Sequence, residues 1–359
     1  MPSTAPGRMV RDVLAAGETA SASFMSSLGG GGGLGSDRSL IALYDLDVMP
    51  PTFDVASFLF LAEQERRRSG CSAIHLVVIP GRNLEPQNAA EAAVPDSMRQ
   101  MRVNSIVIPV SRLLASCAGL TLCATRADAS RLRFAEGAVV FPAKATPTFP
   151  VAPDQSLINR EPLSNADAFP LFRAPEPELQ AVSTWLGDRI GQKRPVVISL
   201  RESRFMPARN SDVGEWIAFA DQLAGTDYAP VFVRDTERAL ERPSGGLERF
   251  PVFEAASWNV ALRMALYETA FVNLAVMHGA MELCWFNDRC RYAAFMPVGT
   301  SPQTSPEFLG SRGFAEGRSL PFAGPDQKLV WQPQNRDEIR AAFDTFLAPG
   351  DGLPARTTP

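Results

Sequence analysis

What the sequence lacks narrows the function before any motif does. Cysteine occurs only at Cys71, Cys117, Cys123, Cys284 and Cys290, an odd number with no C-x-x-C pair. That argues against a disulfide framework or a zinc site and fits a reducing compartment. A basic excess is missing too: 35 Lys and Arg against 39 Asp and Glu leave a net charge of −4. No global field is therefore available to hold a polynucleotide, although one or two arginine forks can still bind a single diphosphate. Nor is there a long apolar run. The most apolar stretch, Phe271 to Phe286, is interrupted by Asn273, His278 and Glu282, and the N-terminus lacks the charged-then-apolar order of a signal peptide. The expectation is a cytoplasmic protein with no transmembrane segment and no nucleic-acid partner.

What is present is the material of an ordinary globular protein. Hydrophobic residues make up 45% and charged residues 21%, an ordinary balance for a packed chain. At 359 residues the chain exceeds the roughly 250–300 at which single cores stop growing, so two domains are expected. Residues 1–36 are rich in Ser, Ala and Gly and contain the run Gly29 to Gly33. They read as a disordered tail, because a phosphate-cradling glycine loop needs a strand before it and a helix after it. Residues 350–359 read as a second flexible tail.

Between the tails the pattern alternates. Leu40 to Tyr44 predicts a strand, Val55 to Arg68 a helix capped by Asp54 and stopped at Ser69-Gly70, and Ile74 to Ile79 a second strand. Val103 to Val110 predicts another strand, Ser111 to Ala118 a short helix, and Ala138 to Phe141 a further strand. Prolines crowd the stretch from Pro142 to Pro177 and mark irregular crossing chain. The domains are accordingly set at 37–165 and 166–349. In the second, helices are expected over Glu178–Ile190, Val213–Leu223, Val260–Ala270 and Arg336–Leu347, with strands over Pro195–Leu200, Ala229–Val233 and Phe271–Val276. Both halves are α/β.

In open α/β sheets, ligands bind beyond the carboxyl ends of the strands, often where a helix N-terminus faces an anion. That rule selects Arg201 to Asp212 after one strand, with Arg201 and Arg209 as anion ligands and Asn210 beside them; Asn210-Ser211-Asp212 also serves as a helix cap. It selects Arg234 to Glu237 after the next, where Asp235 could meet a ribose or base, or simply stand at a solvated strand exit. It selects His278-Gly279-Ala280 after a third, where small residues admit a ligand to the backbone. His75 lies within an apolar strand pattern and reads as structural.

Taken in order, these segments resemble bacterial glycosyltransferases of the GT-B kind, which have two Rossmann-like domains facing a central cleft. The carrying residues are Tyr44-Asp45-Leu46 with Pro50 and Phe53-Asp54, Val78-Ile79-Pro80-Gly81, Leu200-Arg201-Glu202 with Arg209-Asn210-Ser211, Arg263 to Glu268, His278-Gly279-Ala280 and Gln327 to Trp331. A looser likeness is to fucosyltransferases with an H-x-R donor motif: Arg201 matches the arginine, Ser199 stands in place of the histidine, and Asp235-Thr236 represents the later T-D element.

The resemblance implies an N-terminal acceptor-side domain and a C-terminal donor domain. It implies a sugar moved from a nucleotide-sugar donor to a glycan or other hydroxyl acceptor. Arg201, Arg209, Asn210, Asp235, His278, Gly279 and Ala280 would bind the donor, and Asp45 or Asp47 would act as base or hold the acceptor. Asp45-Leu46-Asp47 has D-x-D spacing but follows the first strand of the acceptor domain, so metal independence is expected, with no cofactor beyond the nucleotide-sugar itself. Two other readings stay open: a catalytically silent carbohydrate- or nucleotide-binding protein, and a sugar-nucleotide epimerase or hydrolase, which the scarcity of histidine disfavours.

Overall fold

The computed structural model describes residues 39–81, 94–134, 138–160 and 171–347; the tails expected at 1–36 and 350–359 lie outside them. In the first unit the elements run β1 (Ser39–Asp45), α1 (Asp54–Arg68), β2 (Ala73–Ile79), α2 (Asp96–Arg102), a π-helical turn (Val103–Val107), α3 (Ile108–Arg112), β3 (Cys117–Leu122), α4 (Arg126–Ser130), β4 (Val139–Phe141) and α5 (Leu157–Arg160). The second unit runs α6 (Glu176–Ile190), β5 (Arg194–Ser199), α7 (Val213–Asp221), β6 (Tyr228–Val233), α8 (Val260–Thr269), β7 (Val272–Val276), α9 (Glu282–Trp285), β8 (Tyr292–Phe295), α10 (Pro306–Ser311), β9 (Gln327–Val330) and α11 (Arg336–Asp344). All strand pairings are parallel, in the orders β3-β2-β1-β4 and β6-β5-β7-β8-β9. The fold is thus α/β with two Rossmann-like parallel sheets.

Two local expectations fail for physical reasons. Val103 to Val110 is helical, not a strand: Val103, Ile106, Val107 and Val110 are the buried positions, a helical spacing that packs one apolar stripe inward and overrides the β-branched composition. The helix expected over Ser111–Ala118 ends at Arg112, and β3 begins at Cys117 instead. That strand carries little β-forming sequence and is held by its partner. A Cβ on Gly119 would lie 2.3 Å from His75 Nδ1, so glycine is what lets the His75 ring lie across β3, where its Nε2 meets Thr121 Oγ1 at 2.8 Å. At the start of α1 the N-cap position is Phe53, and Asp54 takes a hydrogen bond from Thr52 Oγ1 without capping the helix.

Helix α1 belongs to both units. Residues Val55 to Glu63 are all buried, because one face packs on the first sheet and the other on the second unit. Phe58 meets Tyr44 edge-on at 5.0 Å, whereas Phe60 stacks on Phe286 at 4.4 Å and on Phe322 at 5.6 Å. One apolar cluster therefore runs from Leu40 to Leu329 across both sheets. The crossing chain is fastened between them: Leu171 and Phe172 N–H donate to the Phe286 carbonyl, and Arg173 N–H donates to that of Leu113.

Every tryptophan, from Trp185 to Trp331, lies in the second unit. Phe60→Ala should cost about 3–5 kcal/mol by cavity formation, and the urea midpoint read by tryptophan fluorescence should fall with the one read by circular dichroism. A fluorescence midpoint that stays put would show that the second unit folds without α1.

Candidate functional site

Topology selects the place. β5 has β6 on one side and β7 on the other, so the chain winds in opposite directions from it and the loops after β5 and β7 part to leave a crevice. Those loops carry Arg201 and His278. Opposite them, the turn from Pro50 to Asp54 that joins β1 to α1 closes the crevice: a Cβ on Gly279 would lie 3.0 Å from Phe53 Cβ. Gly279 thus eases the close approach of the two units, apart from any access it gives a ligand.

The crevice has two lobes. The first, of about 230 Å³, is lined by Arg99, Arg102, Arg201, Arg209 and Arg263 with Asp235, Glu237, His278 and Ala280. The second, of about 280 Å³, is lined by Ser57, Asn159, Glu282, Trp285, Phe308 and Phe314 among others. Asp54, Arg209, His278 and Gly279 line both, which makes them the junction.

The arginines differ in what remains free. Arg201 is 6% exposed, and its guanidinium holds its own loop, donating to the carbonyls of Met206 and Phe205 and to Asn210 Oδ1. Asn210 completes the tie, accepting from Ser203 N–H at 3.2 Å and donating to the Ser203 carbonyl at 2.9 Å. Arg263 is equally committed, to the carbonyls of Ala256 at 2.7 Å and Arg234 at 3.1 Å. Arg102 pairs with Glu237 at 2.8 Å and so bridges the units. Arg99 donates to the Gly81 carbonyl at 3.0 Å, and Arg209, at the end of the fastened loop, is committed least. Among the described residues its one hydrogen bond is to Met206 Sδ, it forms no ion pair, and its Nε is buried without a partner. Burial lowers its pKa, opposed by the Asp54 charge. A cation held this way is short of an anion.

Asp235 spends its carboxylate on backbone, accepting from Glu202 N–H at 3.2 Å and Glu237 N–H at 3.0 Å. His278 is extended and precedes the turn Gly279–Met281; its Nε2 is buried without a partner. Burial, with Arg263, Arg201 and Arg209 nearby, lowers its pKa to about 3, so the ring is neutral at ordinary pH.

Asp45 and Asp47 are elsewhere. Arg126 grips Asp45 through both carboxylate oxygens, at 2.8 and 2.9 Å, and reaches Asp47 at 2.8 Å. Neither acid lines either lobe. The carboxylate that the fold brings to the junction is Asp54, which the sequence offers as a helix cap and as part of the Phe53-Asp54 pair that carries the resemblance, but not as a site residue. Its signal was the Pro50-Pro51 break that swings the chain out before α1. Glu282 was also passed over; it accepts from Ser57 Oγ at 2.5 Å, and burial, followed by the Asp54 charge, pushes its carboxyl well up. Among the described residues no cluster of His, Cys, Asp and Glu is placed to hold a metal, and no helix is long and apolar enough to cross a membrane.

No family model matches the chain, and no curated protein matches it. A solved structure similar to it is the glycosyl transferase family 9 protein of Veillonella parvula DSM 2008, at 12% identity and a TM-score of 0.49, over 86% of this chain and 97% of that one.

The lowered His278 pKa has a stability consequence. Between about 3 and the unfolded value near 6.5, the unfolded chain binds the proton that the folded chain refuses, so stability falls as pH drops through that window. His278→Gln should lose less melting temperature than the wild type between pH 7 and pH 5; equal losses would show that the ring accepts a proton in the folded state.

Proposed function

We propose that this chain is a glycosyltransferase that takes a nucleotide-sugar donor, with the diphosphate at the junction of the two lobes. The observation that carries the reading is Arg209. It is a half-buried guanidinium without an ion pair among the described residues, presented at the switch point of a parallel sheet and facing a carboxylate, Asp54, from the opposite unit. Arg201 and Asn210 hold the loop that presents it. The ribose and base go toward the first lobe, where Asp235 and Glu237 follow β6, as acids after strands do in nucleotide folds.

In such a reaction the acceptor hydroxyl oxygen bonds to the anomeric carbon as the bond from that carbon to the diphosphate oxygen breaks. The electron pair leaves with the diphosphate, whose charge is met by Arg209 and the surrounding cationic field, and the hydroxyl proton passes to Asp54. The neutral His278 can donate or accept a hydrogen bond there without adding a proton of its own. The positive charge that meets the leaving group is supplied by the chain, so the reading keeps metal independence, and it keeps a cytoplasmic setting in which nucleotide-sugars are at hand.

Calorimetry with a panel of nucleoside diphosphates is the test, followed by mass spectrometry of products with and without glycan acceptors. Arg209→Ala should weaken diphosphate binding by roughly 10- to 150-fold, the worth of a charge-assisted pair. Asp54→Asn removes a negative charge beside the diphosphate and so should keep or tighten that affinity, while lowering turnover by about 10²- to 10⁴-fold. No binding by any nucleoside diphosphate, or unchanged affinity in Arg209→Ala, overturns the reading. Diphosphate release that needs no acceptor would reassign the chain as a sugar-nucleotide hydrolase.

A further inference from the structure

Glu237 lines the first lobe, yet its carboxylate is taken up by the protein itself. Oε1 accepts from Arg102 Nη2 at 2.8 Å and from Ser203 Oγ at 3.0 Å, and Oε2 accepts from Arg204 N–H at 3.0 Å. The donors come from two places: Arg102 ends α2 of the first unit, whereas Ser203 and Arg204 begin the loop that presents Arg209. Both members of the ion pair are mostly buried, at 18% and 12% exposure, so salt and solvent screen it less than a surface pair.

Each side is backed by fixed structure. Arg102 is followed directly by the π-helical turn, whose Val103, Ile106 and Val107 are buried, so its backbone cannot shift without opening the apolar core. On the other side the loop is closed on itself at Ser203. Asn210 Oδ1 accepts from the Ser203 N–H, Asn210 Nδ2 donates to the Ser203 carbonyl, and Ser203 Oγ accepts from Phe205 N–H at 3.1 Å. Arg209 sits one residue inside that closure. Glu237 is in turn set by Asp235 Oδ1, which accepts from its N–H. One carboxylate thus holds the closure point of the loop against a cation of the opposite unit.

We propose that Glu237 is a positioning residue which, with Arg102, makes the placement of Arg209 depend on where α2 sits against the second unit, and so couples the first unit to anion affinity in the second. The anion rests on the glycosyltransferase reading; the coupling of Arg102 to the loop does not. Electrostatics alone gives the opposite expectation. An acid lining an anion site repels the anion, so removing it should tighten binding, the more so if Arg102 is then free to meet a phosphate. If the carboxylate acts through the loop, its removal weakens binding in spite of the charge.

Two measurements test this on Arg102→Met, Arg102→Lys, Glu237→Ala and the double variant of Arg102→Met with Glu237→Ala, each first checked by its melting curve. Hydrogen exchange read by mass spectrometry, with no ligand present, follows the amides of residues 203–210. Arg102→Met, although it lies in the first unit, should speed their exchange by about 2- to 10-fold, and Arg102→Lys, which keeps the charge, by less. Calorimetry then uses whichever of ADP, CDP, GDP, TDP and UDP the wild type binds. Arg102→Met and Glu237→Ala should each weaken that affinity by about 2- to 10-fold, and the double variant should bind no more weakly than Glu237→Ala. Should Glu237→Ala fail to fold, Glu237→Gln, which leaves Arg102 without its charge partner, takes its place with the same expected signs. The proposal is overturned if exchange over 203–210 is the same in Arg102→Met as in the wild type, or if the Glu237 variant binds as tightly as the wild type or more so. It is overturned as well if Arg102→Met costs as much affinity in the Glu237 variant as in the wild type, which would make Arg102 a direct ligand of the diphosphate. A wild type that binds none of the five is a failure of the functional reading, and the exchange measurement then decides the coupling by itself.

Discussion

Phe60 against Phe286 and Phe322 is the contact on which the rest of the arrangement depends. These rings lie nearly parallel at 4.4 and 5.6 Å, and they are what makes α1 an element of both units and not a surface helix of the first. With α1 pinned along its length, the turn Pro50 to Asp54 at its start has little freedom and falls on Gly279. The cleft is therefore shaped by a core contact some distance from it. Tight interiors transmit position in this way because neither side can yield without opening a void.

Within the cleft, the partition of the arginines matters more than their number. A buried guanidinium that meets carbonyls is a structural cross-link, and Arg201 and Arg263 are of that type; their donors are spent on loops and strand exits. Doing so fixes the backbone from Ser203 to Asn210, including Met206 at a left-handed φ of 51°, and leaves Arg209 as a cation with capacity to spare. Neutrality of His278 follows from the same crowding, since three positive side chains around a buried imidazole make a further charge unfavourable. Glu282 shows the complementary effect: burial, and after it the Asp54 charge, push its carboxyl well up.

The sequence by itself determined the α/β class, the division into two βα series, and most elements of the second unit, because long apolar strands and amphipathic helices carry their own periodicity. It also pointed to the Arg201 to Asp212 and His278 to Ala280 segments, since a strand that runs out into Arg, Asn or Gly is a local pattern. What tertiary structure alone decided was which side chains at those strand ends remain available. Nothing local distinguishes Arg201 from Arg209; the difference is that one reaches carbonyls of a folded loop and the other does not. Asp45 and Asp47 looked as available as Asp54 until Arg126, brought over from α4, closed on them. The strand β3 and the helical run from Val103 to Val110 were decided in the same manner, by His75 and by the underside of α1. Local sequence fixes what a segment is able to form, whereas partners distant in the chain fix which of its polar groups are spent.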